Sequence, residues 1–209
     1  MTVVQNPAKR GRPVNEALVP QILQIAGDMF LDHGYQGTTM DAVARAVGMS
    51  KLTLYKRFSS KEELFSAIVR DKCNQFVPDL LFAQLDGMPV REALIAVGGG
   101  LLRLLNSREA LTIEVILRSE GDQTLRDLFF AAGPDRMKAA MSAYFGRLKA
   151  RGQLNTDDPM MSCHLFSALF KGSDIHMRCG LQVSPPASDA DIDDYVRTAV
   201  DFFLKGCCE

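Results

Sequence analysis

A chain of 209 residues, 47% hydrophobic and 23% charged, is long enough to bury a substantial core and has the balance of a water-soluble globular protein. Its formal net charge of −1 excludes wholesale coating of nucleic acid, and no stretch approaches the roughly 18 apolar residues of a membrane span. Five cysteines without a C-x-x-C spacing, together with a polar, proline-bearing N-terminus, predict a reducing cytoplasmic setting and no membrane association.

Residues 1–17 mix Pro, Gly and charge and are predicted to form a flexible basic arm carrying Lys9, Arg10 and Arg12. From about Leu18 a helical period begins, in which Ile22, Ile25, Ala26, Met29 and Phe30 share one stripe that ends at His33-Gly34. Thr39 is a good N-cap for the next helix, whose Met40, Val43, Ala44 and Val47 fall at i, i+3, i+4 and i+7. Gly48 sits where a helix C-cap needs a left-handed residue. Ser50 caps a further short helix, with Leu54 and Phe58 on its core face and Lys51, Thr53, Tyr55, Lys56 and Arg57 on other faces. Two short helices around a glycine turn, the second polar and basic, describe a helix-turn-helix over residues 18–66. The charge distribution agrees: residues 1–61 hold eight Lys and Arg against four Asp and Glu, on an acidic remainder.

Ser60-Lys61-Glu62-Glu63 reads as a capping box that opens a helix carrying Leu64, Phe65, Ile68, Val69 and Phe76, ended or kinked by Pro78. After Gly87-Met88-Pro89, breakers separate helical segments at about 90–106, 108–120, 124–132, 134–151, 159–180 and 189–205. Pro134 and Pro159 suit first turns, and Ser184-Pro185-Pro186 suits a loop. Strand signals are missing. The expected fold is all-α, with a helical ligand-sensing and dimerisation domain over residues 67–209. Gly98-Gly99-Gly100 inside a helical segment leaves three readings open: a kink, a closely packed neighbour or ligand space. A phosphate loop is excluded, since no strand precedes the glycines and no Gly-Lys-Ser/Thr follows.

The N-terminal residues resemble the DNA-binding domain of the TetR family of bacterial transcriptional regulators. The likeness covers about residues 20 to 66. It rests on the first apolar stripe, Phe30 followed by Gly34-Tyr35, Thr38-Thr39, Val43-Ala44, Gly48-Met49-Ser50, Leu54-Tyr55, Phe58 and Lys61-Glu62. The stretch LFFAAGPDRMKAAMSAYFGRLKARGQLNTDDP resembles the C-terminal domain of the AefR-like branch. This resemblance implies that the second helix of the motif enters the major groove, with Lys51, Leu52 and Thr53 as candidates for base contact. Thr38, Thr39, Tyr55 and Lys61 become candidates for phosphate contact, and Ser50 and Lys56 complete the DNA-facing set. Leu52 lies where many members carry a small residue, and there it meets either a thymine methyl or the protein interior. An Arg-Gly-Arg-Pro arm either enters a minor groove or solvates as a basic tail.

The resemblance also implies a homodimer on double-stranded operator DNA, formed by the last two long helices. Leu165, Ala168, Leu169 and Gly172 form one candidate stripe, and Ile192, Tyr195, Val196, Ala199, Val200 and Phe203 another; the alternative to this favoured reading is an ordinary core within one subunit. For a small hydrophobic or amphipathic effector, the candidate lining is Phe65, Leu101, Leu105, Glu114, Arg118, Met137, Met141, Phe145, Phe170 and His176, against the alternative of an ordinary helical core. The helix beginning at Lys61 belongs to both domains and is the expected route of coupling.

No G-x-S-x-G, H-E-x-x-H or dinucleotide fingerprint is present, so neither an enzyme nor a cofactor is expected. Cys163-His164 and His176-x-x-Cys179 have a conceivable metal reading, but core or surface placement is favoured and no metal is expected. The leading function is a ligand-responsive repressor of a palindromic operator. The alternatives are a DNA-binding factor without a small-molecule ligand, protein-partnered or architectural, and an enzyme or carrier with an incidental helix-turn-helix.

Overall fold

The structure, a computed structural model, describes residues 18–119, 121–182 and 187–207. The arm with Lys9, Arg10 and Arg12, the Ser184-Pro185-Pro186 turn and Cys208 lie outside the described residues. Every regular element among the described residues is helical. The N-terminal elements are α1 (Leu18–Gly37), α2 (Met40–Val47), α3 (Lys51–Tyr55) and α4 (Lys61–Phe76). They are followed by α5 (Asp79–Gln84), a 3-10 turn (Leu85–Gly87), α6 (Val90–Leu105), α7 (Arg108–Ser119) and α8 (Gln123–Ala132). The chain continues through α9 (Pro134–Ala150), α10 (Pro159–Lys171), α11 (Asp174–Gly180) and α12 (Asp189–Cys207).

Capping chemistry explains most boundaries. Thr39, Ser50 and Ser60 accept from the amides of Ala42, Thr53 and Glu63. Gly48 closes α2 at φ 76°, where a Cβ would strain the backbone. Glu63 departs from the expected box, because its carboxylate accepts from the amide and hydroxyl of Ser59 (both 2.6 Å) rather than from Ser60. Gly34, at φ 72°, breaks α1 where the apolar stripe ends.

Two departures from the sequence expectation concern helix breaks. The segment 159–180 is two helices, because Gly172 ends α10 and the buried Ser173 starts α11. The Ser173 hydroxyl accepts from the His176 amide (3.1 Å) and donates to the Phe170 carbonyl (2.7 Å). Residues 79–87, for which no element was expected, form α5 and the 3-10 turn. Leu85 is fully buried there, and Asp86 takes Arg147 of α9 and Arg151, which caps that helix, at 2.7 Å each.

Apolar side chains gather in two cores. The first joins α1–α4 to Leu104, Ile113, Leu117, Leu125 and Ala132. Phe65 belongs to it, edge-on to Phe30 (5.7 Å) and Tyr35 (5.3 Å). The second joins α6, α9, α10 and α12 around Phe145, Phe166, Phe170 and Phe203. Ile192, Val196, Ala199, Val200 and Phe203 are buried in it, and Tyr195 donates to the Leu169 carbonyl at 2.6 Å. The expected α12 stripe is therefore spent within the chain, on α6. Two arginines of α6 hold it there, Arg91 on Asp201 (2.6 Å) and Arg103 on Asp193 (2.6 Å).

Two of the three glycines, Gly98 and Gly100, resolve as close packing. The helix α6 runs unbroken from Val90 to Leu105. A Cβ on Gly98 would fall 2.6 Å from the Phe170 ring, and one on Gly100 would fall 2.3 Å from the Phe76 carbonyl oxygen.

Candidate nucleic-acid interface and effector cavity

The helix-turn-helix presents a short, well-anchored reading edge. Leu54 and Phe58 are buried and fix α3 to the domain. Lys51, Leu52, Thr53 and Lys56 are exposed, and Tyr55 is partly so. Leu52 is 66% exposed, which decides between its two readings: it points to solvent and not into the core. The Lys51 ammonium lies 2.8 Å from Asp41 and 5.8 Å from the Tyr55 ring centroid, and its hydrogen bond to Asp41 raises its pKa. The hydroxyls of Ser50 and Thr53 lie 2.8 Å apart. Thr39 remains exposed while capping α2.

Two expected phosphate contacts are engaged internally. Thr38 is 1% exposed, and its hydroxyl lies within reach of the carbonyls of Gly34 (2.9 Å) and Met29 (3.0 Å) at the end of α1. The Lys61 ammonium donates to the carbonyls of Tyr35 (2.9 Å) and Thr38 (3.2 Å) and lies 4.2 Å from the Tyr35 ring centroid. Tyr35 also donates to Glu62 (3.1 Å). Sequence reasoning missed this lock because its partners are backbone carbonyls some 25 residues away. The Lys61 side chain ties α4 to the reading unit, and that of Thr38 ties the start of α2 to α1.

A cavity of about 480 Å³ lies between the two cores. It is walled by α4, α6, α7, α8, α9 and α10, and by His176 of α11. Of the expected lining, Leu101, Leu105, Glu114, Arg118, Met137, Met141 and His176 face it. Phe65, Phe145 and Phe170 do not: the first belongs to the core of the reading unit, and the other two are fully buried in the second core. Met137 and Met141 lie one turn apart on α9 and line the cavity. One turn further on, Phe145 is taken by Phe203 (5.6 Å, stacked) and Phe166 (6.0 Å). Val69, Lys72 and Cys73 of α4 also line it, although no sequence pattern marked them, and they bring the cavity to the helix that holds the reading unit.

The polar groups of the wall are specific. His176 Nδ1 lies 2.9 Å from Asn106 Oδ1, and burial lowers the pKa of its imidazole. Glu114 pairs with Arg118 one turn along α7. Lys72 reaches Glu109 (2.9 Å) across α4 and α7. Burial pushes the Cys73 thiol up to about 11 and raises that of Cys163, so both stay protonated and weakly nucleophilic. Among the described residues no cluster of His, Cys, Asp and Glu is arranged to hold a metal, and no helix is long and apolar enough to cross a membrane.

Comparison with known proteins agrees with this geometry. The family model for the C-terminal domain of AefR-like transcriptional repressors matches residues 92–206, and that for bacterial regulatory proteins of the TetR family matches residues 22–68. A solved TetR-family regulator from Mesorhizobium loti is similar at 26% identity, with 94% of this chain and 99% of that one covered and a TM-score of 0.72. The flavonoid-responsive regulator FrrA is similar at 28% identity, with 91% and 97% covered and a TM-score of 0.70. The uncharacterised helix-turn-helix regulator YdeS of Bacillus subtilis is 33% identical over 137 residues. That match takes in 63% of this chain and just under two thirds of YdeS, at 66%.

Proposed function

Since the chain belongs to the TetR family of DNA-binding transcriptional regulators, we propose that it binds a palindromic operator as a homodimeric repressor and is released by a small amphipathic effector. The observation that carries the DNA half is the exposed N-terminal end of α3. Lys51, Leu52 and Thr53 stand in solvent there on a helix that Leu54 and Phe58 anchor from behind. A major groove admits such a helix and offers a thymine methyl to an apolar side chain. Thr39, Tyr55 and Lys56 flank this edge and are positioned for phosphate contact, which supplies affinity more than sequence choice.

The effector half is supported by the cavity, whose volume is in the range typical of small-molecule sites. The relative FrrA, by its name flavonoid-responsive, is a regulator with a small-molecule input. Coupling runs through α4: Val69, Lys72 and Cys73 line the cavity, and Lys61 and Glu62 at the other end hold the reading unit. An effector that binds the two positions of α4 with different affinity shifts the spacing of the paired reading helices. Dimerisation is assigned to the apolar side chains that α10 and α12 leave in solvent, among them Leu165, Ala168 and Phe202.

Fluorescence anisotropy with DNA from upstream of the chain's own gene, against a scrambled duplex and across a salt series, tests the proposal. Preference for the native fragment at two subunits per site, weakening steeply with salt, is the expected result. Equal, weak binding to both duplexes would overturn the operator reading.

A further inference from the structure

The cavity wall is positively charged. Lys72, Arg118, Arg126, Lys138 and Lys171 face it against the single carboxylate of Glu114. Three of these cations have carboxylate partners: Lys72 has Glu109, Arg118 has Glu114 and Lys138 has Asp135. Arg126 is held by neutral acceptors, the carbonyls of Leu117 and Gly121 and the side chain of Gln123. Lys171 has no ion pair or hydrogen bond among the described residues.

The placement of Lys171 gives the cavity a direction. Cys163, Ser167 and Lys171 are spaced by one turn each along α10, so they form one stripe, and all three line the cavity. Their burial falls along that stripe: the thiol is buried, the hydroxyl is half-buried and the ammonium is exposed. Polarity therefore rises from the floor to the mouth on a single helix face. The floor is apolar: Met141 and Phe166 are buried in one cluster with Cys163, and the half-buried Leu101 packs against that cluster. Met161, Leu165 and Ala168 lie on a different side of α10, so the stripe is separate from the exposed apolar face of that helix.

The geometry points to an anionic amphiphile as the effector: an apolar body seated against Leu101, Met141 and Phe166, and one acidic group held at the mouth by the Lys171 ammonium and the Ser167 hydroxyl. This rests on reading the cavity as the effector site. An unpaired cation at the rim of an apolar cavity attracts an anion and rejects a cation of the same shape. A carboxylate there gains a charge-assisted hydrogen bond that an alcohol of equal length lacks.

The test uses the full-length protein and N-phenyl-1-naphthylamine, whose fluorescence rises in apolar cavities. It is displaced by decanoate, decanol or decyltrimethylammonium at submicellar concentrations. Decanoate is expected to displace it at concentrations at least about tenfold lower than decanol, with decyltrimethylammonium weakest. The K171Q variant is expected to lose that preference while decanol displacement stays unchanged, which also reports that the variant is folded. K171R is expected to keep the preference. Equal displacement of the probe by decanoate and decanol from the wild-type chain overturns the anionic class while leaving the cavity reading intact. A decanoate preference that survives in K171Q overturns the assignment of the head group to Lys171. A probe that fails to bind the wild-type chain removes the cavity reading and this inference together.

Discussion

Gly100 of α6 and Phe76 of α4 meet so closely that a methyl group on the glycine would lie 2.3 Å from the phenylalanine's carbonyl oxygen. Backbone cannot rotate away as a side chain can, so G100A must push the end of α4 off α6. The expected cost is about 1–3 kcal/mol, seen as a lower Tm. G146A is the control: beyond the backbone of its own helix, a Cβ there would meet nothing within 4 Å, and the substitution is expected to raise stability by about 0.5–1 kcal/mol. Equal Tm values for the two variants would contradict the contact.

Thr38 tests whether the reading unit is locked from within. T38V keeps the shape and removes the hydroxyl that reaches Met29 and Gly34, so a loss of about 1–3 kcal/mol is expected in urea denaturation. Operator affinity, measured where the variant is fully folded, is expected to stay unchanged, because the hydroxyl is spent on α1. A loss of affinity at unchanged stability would restore Thr38 as a phosphate ligand.

Leu52 predicts the reverse pattern. At 66% exposure its side chain contributes little to the core, so L52A is expected to leave the melting curve in place. Operator affinity is expected to fall by about 1–3 kcal/mol, the usual cost of one lost base contact. Anisotropy titration beside thermal denaturation separates the two, and an unchanged affinity would remove Leu52 from the interface.

The reading edge was legible because capping is local. Thr39, Gly48, Ser50 and Ser60 act within one turn of themselves, and the sequence contains both partners. The lock on α1 was not, since Lys61 and Thr38 bond to carbonyls, which have no side-chain signature. The stripe through Ile192, Val196 and Phe203 marks α12 as one-sided, but periodicity names no partner. Its packing on α6 rests on Ala93, Leu94 and Val97 meeting apolar side chains about 100 residues away, with Arg91 and Arg103 paired at the edge. Within the cavity, Met137, Met141 and Phe145 read as one stripe, and only the arrival of Phe166 and Phe203 closes the cavity before Phe145. The six residues of α5 are too few for a period to register.

His176 makes stability depend on pH in a stated direction. Burial lowers the pKa of its imidazole below the value of about 6.5 in an unfolded chain. The unfolded chain then binds the proton more tightly, so the contribution of the neutral ring is complete above about pH 6.5. It is lost as pH falls through the folded-state value. Thermal denaturation of the wild-type chain between pH 7.5 and 5 is expected to show this decline. H176N, which offers an amide toward Asn106 but does not titrate, is expected to flatten it. An equal decline in both would place the titration elsewhere.

The dimer face is the part of the proposal where exposure overrules periodicity. Val196 and Phe203 are already buried against their own α6, so V196E is expected to unfold the chain and says nothing about assembly. Leu165, at 58% exposure, and Phe202, at 70%, are large apolar side chains that α10 and α12 leave in solvent. These two side chains, on neighbouring helices, are the ones to which the proposal assigns association. In a two-fold interface that buries both side chains, L165E with F202E buries four carboxylates, two from each subunit, so like charges gather there whichever residue meets which. Light scattering is expected to report a monomer with the far-ultraviolet helical spectrum intact. Operator affinity is expected to fall with the loss of the second reading helix. A double variant that remains dimeric would move the interface to another surface of the molecule.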